Sequence, residues 1–419
     1  MRPGEDWSRT VDYGPGPLHA PASLDELQDL VRRSSRIRAL GSRHSFSAVA
    51  ASEADLVSLS RMPPEITVDP VSATAWVSAA TSYGQLARTV EEQGFALSAM
   101  GSLPHISVAG AVATGTHGSG DDRRSLAAAV RAVELVRADG EHVRISREAD
   151  PAIVPGAVIA LGALGITTRL QLELVPRHSL RQCVYRDLPP DRFTQEGLEQ
   201  VFAGGSSVSV FHRWDGRADQ IWVKQRAGGG DPPPPELFCG ARRVQEPIHP
   251  VPELPATACT DQSGTPGPPS TRLPHFRPDF PPSSSGDEIQ SEYMIAREDL
   301  AAALEAVMPL AQRIRPLLQV SEIRTLAADD LWLSPAVRRD SACLHFTWLR
   351  RPAAVRALLP EIEAALAPFA PRPHWGKVFT LAPQEVRSRY PRWGDFADLV
   401  ARMDPGGRFR NAFVDRLLG

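Results

Sequence analysis

The order of the hydrophobic periods between residues 290 and 380 is the feature that most constrains the fold of this chain. Residues 290–296 are extended in character, and apolar side chains then recur at helical spacing at positions 300, 304, 307 and 314. Strands are predicted over 320–326 and 343–349, followed by a helix with apolar positions 355, 359, 362 and 366 and an extended segment over 375–380. This β-α-β-β-α-β order is the split βαβ arrangement, in which two helices back an antiparallel sheet.

The two adjacent strands in this series carry polar side chains on one face, because side chains alternate between faces along a strand. Glu322 and Arg324 share that face on the first strand, as do His345 and Thr347 on the second, whereas positions 344, 346 and 348 are apolar. A solvent-exposed ion pair is the commoner explanation for any one such pair. The mixture of carboxylate, guanidinium, imidazole and hydroxyl nevertheless favours a site that binds several substrate hydroxyls.

The first part of the chain alternates helices and strands. Ser23 with Glu26 predicts a capping box and a helix to about Arg33, followed by a strand over 37–40 and a loop over 41–45. The same form recurs with a strand over 74–79, a capping box at Ser82 and Gln85, and a helix end at Gly94. We therefore expect mixed α and β structure here.

A segment rich in glycine, serine and threonine covers residues 103–120 and lies between predicted strands. Strands over 130–136 and 141–145 follow it as a hairpin that turns at Asp139-Gly140. The stretch 110–120 exposes backbone amides that can bind a pyrophosphate. It lacks the Gly-x-Gly-x-x-Gly spacing of a Rossmann fingerprint, which argues against a nicotinamide enzyme.

The middle of the chain is rich in proline. Residues 228–235 and 264–286 are predicted to be surface loops without regular structure. Upstream of them, strands over 207–214 and 221–225 are joined by a turn at Asp215-Gly216.

Length and charge exclude several classes of protein. A chain of 419 residues predicts two large domains, and 46 basic against 49 acidic residues leave no excess positive charge for nucleic acid. The longest apolar run, 154–166, is too short to span a bilayer, so we expect a soluble protein without membrane contact.

The four cysteines form no Cys-x-x-Cys pair, so we expect free thiols and a cytoplasmic location. We expect no metal, since His44 lacks nearby ligand partners.

Three motifs carry a resemblance to a known family. They are Gly41-Ser-Arg-His-Ser-Phe46, the stretch from Gly101-Ser-Leu-Pro-His to Gly120, and Asp404-Pro-Gly-Gly-Arg-Phe-Arg-Asn411, with shorter matches at 161–165 and 375–377. Together they resemble the vanillyl-alcohol oxidase type of flavoprotein and, within it, the alditol oxidases, over nearly the whole chain. The resemblance implies an α+β fold of two domains. Residues 1–180, completed by 380–419, would bind FAD, and residues 181–379 would form a cap with an antiparallel sheet and flanking helices.

The resemblance also implies a set of cofactor contacts. His44 matches the histidine that is bonded covalently to the flavin in that family. The other expected contacts are Gly41, Ser42, Arg43, Ser45, Ser102, Ser107, Gly110, Ala111, Val112, Ala113, Thr114, Ile166 and His374.

The implied reaction is oxidation of the terminal hydroxyl of a polyol such as xylitol or sorbitol to the aldose, with O₂ reduced to H₂O₂. The substrate positions are Ser102, Glu322, Arg324, Thr347 and Lys377, with His345 in the same wall. Arg324 and Lys377 would stabilise the substrate oxygen, Glu322 would accept hydrogen bonds and offset the cationic pair, and either His345 or Lys377 would take the proton. We expect a monomer.

One glycine bears on the electron acceptor. Gly101 matches a position where a side-chain methyl limits oxygen access in related enzymes, so glycine favours an oxidase; a tight turn is the other explanation for it. The alternative function is a flavin-dependent dehydrogenase of sugar lactones or aldoses with another electron acceptor.

Overall fold

The computed structural model describes residues 4–228, 231–281 and 287–419. Its α-helices are α1 Leu24–Arg33, α2 Tyr83–Glu92, α3 Val108–Ala113, α4 Val154–Ala157, α5 Gln195–Ala203, α6 Leu300–Val307, α7 Ala311–Ile314, α8 Pro352–Leu366, α9 Pro383–Ser388, α10 Trp393–Met403 and α11 Ala412–Leu418. Short 3₁₀ helices cover Ala48–Ala50, Leu126–Ala129, Pro190–Arg192, Ala256–Ala258, Pro269–Thr271, Arg297–Asp299, Met308–Leu310, Arg315–Leu317 and Ala367–Phe369.

The strands of the first part of the chain are β1 Leu18–His19, β2 Ile37–Ala39, β3 Asp55–Val57, β4 Ile66–Asp69, β5 Thr74–Ser78, β6 Phe95–Ala96, β7 Val130–Val136, β8 His142–Ser146, β9 Ile166–Glu173 and β10 Val175–Pro176. The remaining strands are β11 Ser179–Leu188, β12 Ser207–His212, β13 Ala218–Ala227, β14 Leu237–Phe238, β15 Ala241–Arg243, β16 Glu288–Ala296, β17 Leu318–Leu326, β18 Ser341–Leu349 and β19 Arg372–Pro373.

The strands up to β10 form three small sheets. β1, β3 and β2 make a parallel sheet, and β4-β5-β9-β7-β8 make an antiparallel one. The predicted hairpin is confirmed by β7 and β8, with Gly140 at φ +82°. β6 pairs with β10.

A single nine-stranded sheet contains all the later strands, in the order β14-β15-β11-β13-β12-β17-β18-β16-β19. Its last four strands, with α6 and α8, form the predicted split βαβ unit. The predicted strand pair on either side of Asp215-Gly216 is also confirmed, as β12 and β13. The unit therefore joins a larger sheet through the contact of β12 with β17.

The face of this sheet that packs on the helices is apolar, as the alternation predicts. Leu344, Phe346 and Trp348 are buried in one cluster with the inner side chains of α6 and α8. The Phe346 ring stacks between Trp214 and Trp348, with centroid distances of 5.5 and 5.0 Å. The polar face is the other side of the same sheet, so this packing keeps its side chains on a rigid support.

Both predicted helix starts are confirmed. Ser82 and Gln85 form a reciprocal capping box at α2. At α1 the Ser23 hydroxyl accepts from the Glu26 amide, but the Glu26 carboxylate accepts from the Ala22 amide instead of completing the box. The Glu26 carboxylate therefore binds the amide of Ala22 and not that of Ser23. The helix still begins at the predicted position.

Three predicted boundaries are wrong in detail. The glycine-rich segment contains α3, because small apolar residues at 108–113 can form a helical turn. The helix expected over 300–314 is divided, since Pro309 cannot continue α6 and a 3₁₀ turn leads into α7. Residues 375–380 do not form a strand: β19 ends at Pro373, and only single backbone bonds from His374 and Val378 to β16 follow.

The prediction of exposed, irregular loops in the proline-rich segments is correct for residues 231–235. For residues 264–281 it is correct about the lack of long helices and strands and wrong about exposure. Residues 231–235 are mostly exposed, whereas Pro269, Ser270, Leu273 and His275 are buried. The Glu91 carboxylate accepts from the Ser270 amide at 2.8 Å, which ties this segment to α2. Residues 229–230 and 282–286 lie outside the described part of the chain.

Two further expectations concern the whole chain. Among the helices of the described residues, none has the length and apolar character that crossing a membrane requires. Cys183, Cys239, Cys259 and Cys343 are free thiols.

Replacement of Phe346 by alanine is expected to lower the free energy of unfolding by about 3–5 kcal/mol, because it opens a cavity between two tryptophan rings. Denaturant unfolding followed by tryptophan fluorescence measures the change. Val71→Ala, at a side chain that is 95% exposed, is the control and should stay within about 0.5 kcal/mol. Equal effects of the two substitutions would contradict the packing role of Phe346.

Candidate active site

A large cavity lies where the loops of the first part of the chain meet the polar face of the nine-stranded sheet. The predicted site residues that line it are Gly41, Ser42, Arg43, His44, Ser45, Ser102, Ser107, Gly110, Ala111, Ala113, Thr114, Glu322, Arg324, His345, Thr347, His374 and Lys377. Two predicted cofactor contacts do not line it. The side chains of Val112 and Ile166 are buried in the hydrophobic core.

His44 lies in the loop between β2 and the 3₁₀ turn at 48–50, and its ring is held from one side. The Trp7 indole stacks on it at a centroid distance of 5.4 Å. Burial lowers the pKa of His44 to about 4, so the imidazole is neutral at physiological pH. Both ring nitrogens are buried, and neither has a hydrogen-bond partner within the described part of the chain. A neutral ring with an unused nitrogen has the chemistry needed to bond an electrophilic carbon.

Two glycines shape the cavity next to this loop. A Cβ atom at Gly41 or at Gly110 would lie 2.8 Å from the Ser107 hydroxyl oxygen. The Ser107 amide donates to the Ser42 hydroxyl at 3.0 Å, and the Ser107 hydroxyl has no hydrogen-bond partner among the residues that the structure describes. Bare backbone, an unpartnered hydroxyl and the neutral imidazole of His44 fit a large cofactor with polar groups, as FAD requires.

On the opposite wall, three ionisable side chains form one row across adjacent strands. Glu292 of β16 pairs in register with His345 of β18, and His345 pairs with Glu322 of β17. Residues directly opposite each other point to the same face, so all three lie toward the cavity side of the sheet. The predicted grouping of Glu322, Arg324, His345 and Thr347 on one polar face is confirmed by this register.

Glu292, at one end of the row, is 1% exposed. The Arg324 guanidinium donates to its Oε1, and Lys377 Nζ donates to its Oε2 at 2.7 Å. Burial alone would raise the pKa of Glu292, but Arg324 and Lys377 outweigh it and hold the pKa well below the ordinary value. Glu292 is therefore a carboxylate that neutralises two buried cations.

This arrangement divides between two glutamates a role that was expected of one. Glu322 was expected to offset the cationic pair, and its Oε2 lies 3.7 Å from Arg324 Nε, while its Oε1 has no hydrogen-bond partner among the described residues. Glu292 makes the close contacts instead. The physical reason is the strand order, since β16 and β17 flank β18 and bring Glu292 and Arg324 together across it.

His345 is held as a neutral ring with both nitrogens in use. Its Nδ1 faces two donors, Lys377 Nζ at 3.1 Å and Arg324 Nη2 at 3.4 Å, so it must accept. Its Nε2 then carries the proton and lies 3.2 Å from the Thr347 hydroxyl. Burial, with the neighbouring Lys377, holds the pKa of His345 well below its ordinary value.

Lys377 and Arg324 respond differently to burial. Burial lowers the pKa of Lys377, although Glu292 acts in the opposite direction. For Arg324 the attraction of Glu292 and Glu322 outweighs burial and raises the pKa above its ordinary value. Arg324 is a permanent cation, and Lys377 is the group of the pair whose charge can change.

Two further histidines surround Glu292. The Gly376 amide donates to Nδ1 of His374 at 3.0 Å, so a neutral His374 carries its proton on Nε2. His117 has the opposite tautomer, because its Nδ1 lies 2.8 Å from the Gly118 carbonyl and must donate. The His117 Nε2 lies 3.4 Å from Glu292 Oε2, and it has no hydrogen-bond partner among the described residues.

The segment 268–281 closes the cavity beside Ser102. The amides of His275 and Phe276 donate to the Ser102 carbonyl at 3.1 and 3.2 Å. The His275 Nε2 also lies 3.8 Å from Glu322 Oε1. Ser102 is thus fixed by its backbone, and the polar wall extends into this segment.

Sequence reasoning missed Glu292, His117 and His275. Glu292 had a usable signal, because polar residues occupy alternate positions 288, 290 and 292 of a segment that was predicted to be extended. His117 lies within the glycine-rich motif, where it was treated only as part of a backbone loop. No local pattern marks His275.

Cys343 completes a buried group with His117 and Glu292, in which one ligand atom of each lies within 4.8 Å of the others. Such a group resembles a metal site in its residue types. Both oxygens of Glu292 already contact cationic side chains, and a metal ion there would be repelled by Arg324 and Lys377. The electrostatics argue against a metal at this position.

Comparisons with known proteins agree with this geometry. Residues 16–146 match the FAD binding domain family, and residues 287–417 match the D-arabinono-1,4-lactone oxidase family. An alditol oxidase from Streptomyces sp. (strain IKD472 / FERM P-14339) is 45% identical, over 99% of this chain and 98% of the relative. The chain belongs to the alditol oxidase family. It is an FAD-dependent oxidoreductase that acts on CH–OH groups.

More distant relatives share the same extent. An L-gulono-1,4-lactone dehydrogenase from Mycobacterium tuberculosis is 27% identical over 99% of this chain and 98% of its own. Among solved structures, a solvent-stable cholesterol oxidase has a TM-score of 0.78 at 16% identity and covers 99% of this chain and 97% of its own. A chitooligosaccharide oxidase has a TM-score of 0.75 at 13% identity, over 97% and 93%. The predicted vanillyl-alcohol oxidase type of fold is confirmed.

Proposed function

We propose that this enzyme oxidises the terminal hydroxyl of polyols such as xylitol or sorbitol to the aldose and reduces O₂ to H₂O₂. The observation that carries the proposal is the pair Arg324 and Lys377, two buried cations on one carboxylate that line the cavity beside Glu322 and Thr347. Donors and acceptors at this density suit a ligand with a hydroxyl on every carbon. The 45% identity to an alditol oxidase supports the same substrate class.

We assign the cofactor to FAD bonded through His44. Bound FAD would supply the acceptor for the hydride of the carbinol carbon and the route by which its electrons reach O₂. The neutral, unpartnered imidazole of His44 supports this attachment, and the glycine-lined backbone at Gly41 and Gly110 leaves room for the cofactor. Residues 1–180 with 380–419 form the FAD-binding domain in this proposal, and residues 181–379 form the cap.

The side chains of the wall have distinct roles in the proposal. Arg324 and Lys377 stabilise the substrate oxygen as its proton leaves, while Glu322, Thr347 and Ser102 bind neighbouring hydroxyls. The neutral form of Lys377 takes the proton and, as the ammonium so formed, stabilises the oxygen beside Arg324. His345 is not the acceptor, because its Nδ1 already accepts from Lys377 and Arg324. The enzyme acts as a cytoplasmic monomer on a free polyol.

The choice of O₂ as acceptor rests on Gly101. A Cβ atom there would meet the Thr116 methyl at 3.6 Å, which is ordinary contact, and its φ lies outside the left-handed region. A tight turn therefore does not require glycine at this position. An open path for oxygen to the flavin explains Gly101 better than a turn does. It favours an oxidase over a dehydrogenase such as the L-gulono-1,4-lactone dehydrogenase that is 27% identical to this chain.

His44→Ala is expected to abolish covalent flavin, because it removes the nitrogen that forms the bond. Denaturing gel electrophoresis scanned for flavin fluorescence compares the variant with wild type. Fluorescence should travel with the wild-type band and be absent from the variant. Flavin that runs off the wild-type protein would show that the attachment is not covalent.

Lys377→Met should leave flavin incorporation intact and lower the rate of flavin reduction by xylitol by about 10²-fold or more. Because burial lowers the pKa of Lys377, the wild-type rate should rise with pH through a pKa below the ordinary lysine value, and fall as Lys377 becomes protonated. This rise of the reduction rate with pH should be absent in Lys377→Met. Anaerobic stopped-flow reduction across a pH series measures both effects, and unchanged kinetics would remove Lys377 from the mechanism.

Gly101→Val is expected to slow reoxidation of the reduced enzyme by O₂ about 10-fold or more while reduction by xylitol is preserved, since its side chain narrows the oxygen path. The matched control is Gly394→Ala on α10, where a Cβ atom meets nothing within 4 Å. Separate stopped-flow measurements of the two half-reactions distinguish them. Equal reoxidation rates in wild type and Gly101→Val would refute the gate.

A further inference from the structure

The chain contains only two lysines, Lys224 and Lys377, among its 46 basic residues. Both are buried: Lys377 lines the cavity, and the Lys224 ammonium donates to the Leu273 carbonyl. Arginine supplies the positive charge everywhere else, and its guanidinium does not lose a proton in proteins. Among the lysine and arginine side chains that line the cavity, Lys377 is therefore the one that can change its charge, and its surroundings decide when it does so.

Within the described ranges of the chain, the Lys377 amine has two hydrogen-bond partners. Its Nζ lies 2.7 Å from Glu292 Oε2 and 3.1 Å from His345 Nδ1, and both of these atoms accept. A neutral amine has two N–H groups, and these two partners use them both. The remaining tetrahedral position of Nζ, its lone pair in the neutral form, is then available to a ligand in the cavity.

His117 does not replace Lys377 as a partner of Glu292. Its Nδ1 donates to the Gly118 carbonyl, so the Nε2 of the neutral ring presents a lone pair to Glu292 Oε2 at 3.4 Å. Burial lowers the pKa of His117, which favours that neutral form. Two acceptors do not bond each other. Among the described residues, Lys377 is thus the group that supplies a hydrogen bond to this oxygen.

The other charged groups around Lys377 do not offset its charge as Glu292 does. Arg324 is a cation, and His345 and His374 are neutral rings because burial lowers the pKa of each. Burial raises the pKa of the Cys343 thiol, which keeps it uncharged, and Glu322 contacts Arg324 at 3.7 Å and His275 at 3.8 Å. Glu292 is the carboxylate in direct contact with the amine.

We propose that Glu292 is a positioning residue that orients the Lys377 amine toward the substrate hydroxyl and sets the pH at which that amine becomes a base. The inference rests on the proposed function of this site and adds a residue behind the substrate wall. Removing the negative charge of Glu292 makes the protonated amine less stable. Lys377 then loses its proton at a lower pH, and its orientation is no longer fixed.

The first test measures the proton affinity of Lys377 without turnover. Holoenzyme is labelled with acetic anhydride over a pH series, and mass spectrometry follows acetylation of Lys377 and of Lys224 in the same sample. In Glu292→Gln, the midpoint for Lys377 should fall by about one to three pH units. Lys224 is the internal control, because it contacts Leu273 rather than Glu292, and its midpoint should not move.

The second test follows flavin reduction by xylitol under anaerobic conditions. In Glu292→Gln the rising limb of the rate against pH should move to lower pH by the same amount, and the maximal rate should fall about 10-fold or more as orientation is lost. Glu292→Asp keeps the charge at a shorter reach and should give an intermediate shift, which preserves the test if the glutamine variant does not fold. Cys343→Ala, next to Glu292, is the packing control and should keep the wild-type limb.

The outcomes separate this inference from the proposed function. If wild type is not reduced by any polyol, the proposed substrate is wrong, while the labelling experiment still reports on Glu292 and Lys377. If the Lys377 midpoint stays at its wild-type value in both Glu292 variants, the inference is overturned. An equal shift of Lys377 and Lys224 would also overturn it, because that result indicates a general structural change.

Discussion

The polar face of the nine-stranded sheet depends on the carboxylate of Glu292. Removing two cations from water costs several kcal/mol for each, and the cost is recovered only where the geometry and the remaining hydrogen bonds are good. Glu292 meets this condition by giving one oxygen to Arg324 and the other to Lys377. The strand order fixes the arrangement, since β18 lies between β16 and β17 and places His345 in register with both glutamates. The fold and the charge pattern therefore require each other.

Much of this face could be predicted from the sequence because a strand has a period of two. That period was enough to place Glu322 with Arg324 and His345 with Thr347, and the β-α-β-β-α-β order was enough to pair their strands. Alternating polar positions mark the strand of Glu292, but its neighbour in the sheet is a non-local property, so the contact of Glu292 with Arg324 and Lys377 could not be predicted. His374 and Lys377 follow a two-residue strand in an irregular turn, so the resemblance to a family could identify them but no periodicity could.

The segment 264–281 shows what amino-acid composition cannot predict. Its proline and serine content correctly excludes long helices and strands, but it does not determine whether a loop is exposed. Burial became possible because distant groups satisfy its backbone and side chains: the Glu91 carboxylate accepts from Ser270, and the Ser102 carbonyl accepts from His275 and Phe276. A buried loop needs such partners for its polar groups. They lie more than 150 residues away in the sequence, where a local pattern carries no information about them.

Arginine and lysine have different roles in this enzyme, because only lysine readily loses its proton. Arginine keeps its proton and offers a planar fork, which suits the fixed hydrogen bonds of Arg324 to Glu292 and of Arg38 to four backbone carbonyls around the cofactor loops. Lysine can lose its proton when it is buried, and both lysines of the chain lie in buried positions where burial lowers the pKa, that of Lys224 to about 7. Oxidation of an alcohol requires one group that stabilises developing negative charge and one that accepts a proton. In the proposed function, Arg324 is the first of these groups and Lys377 is the second, and the Glu292 carboxylate contacts both.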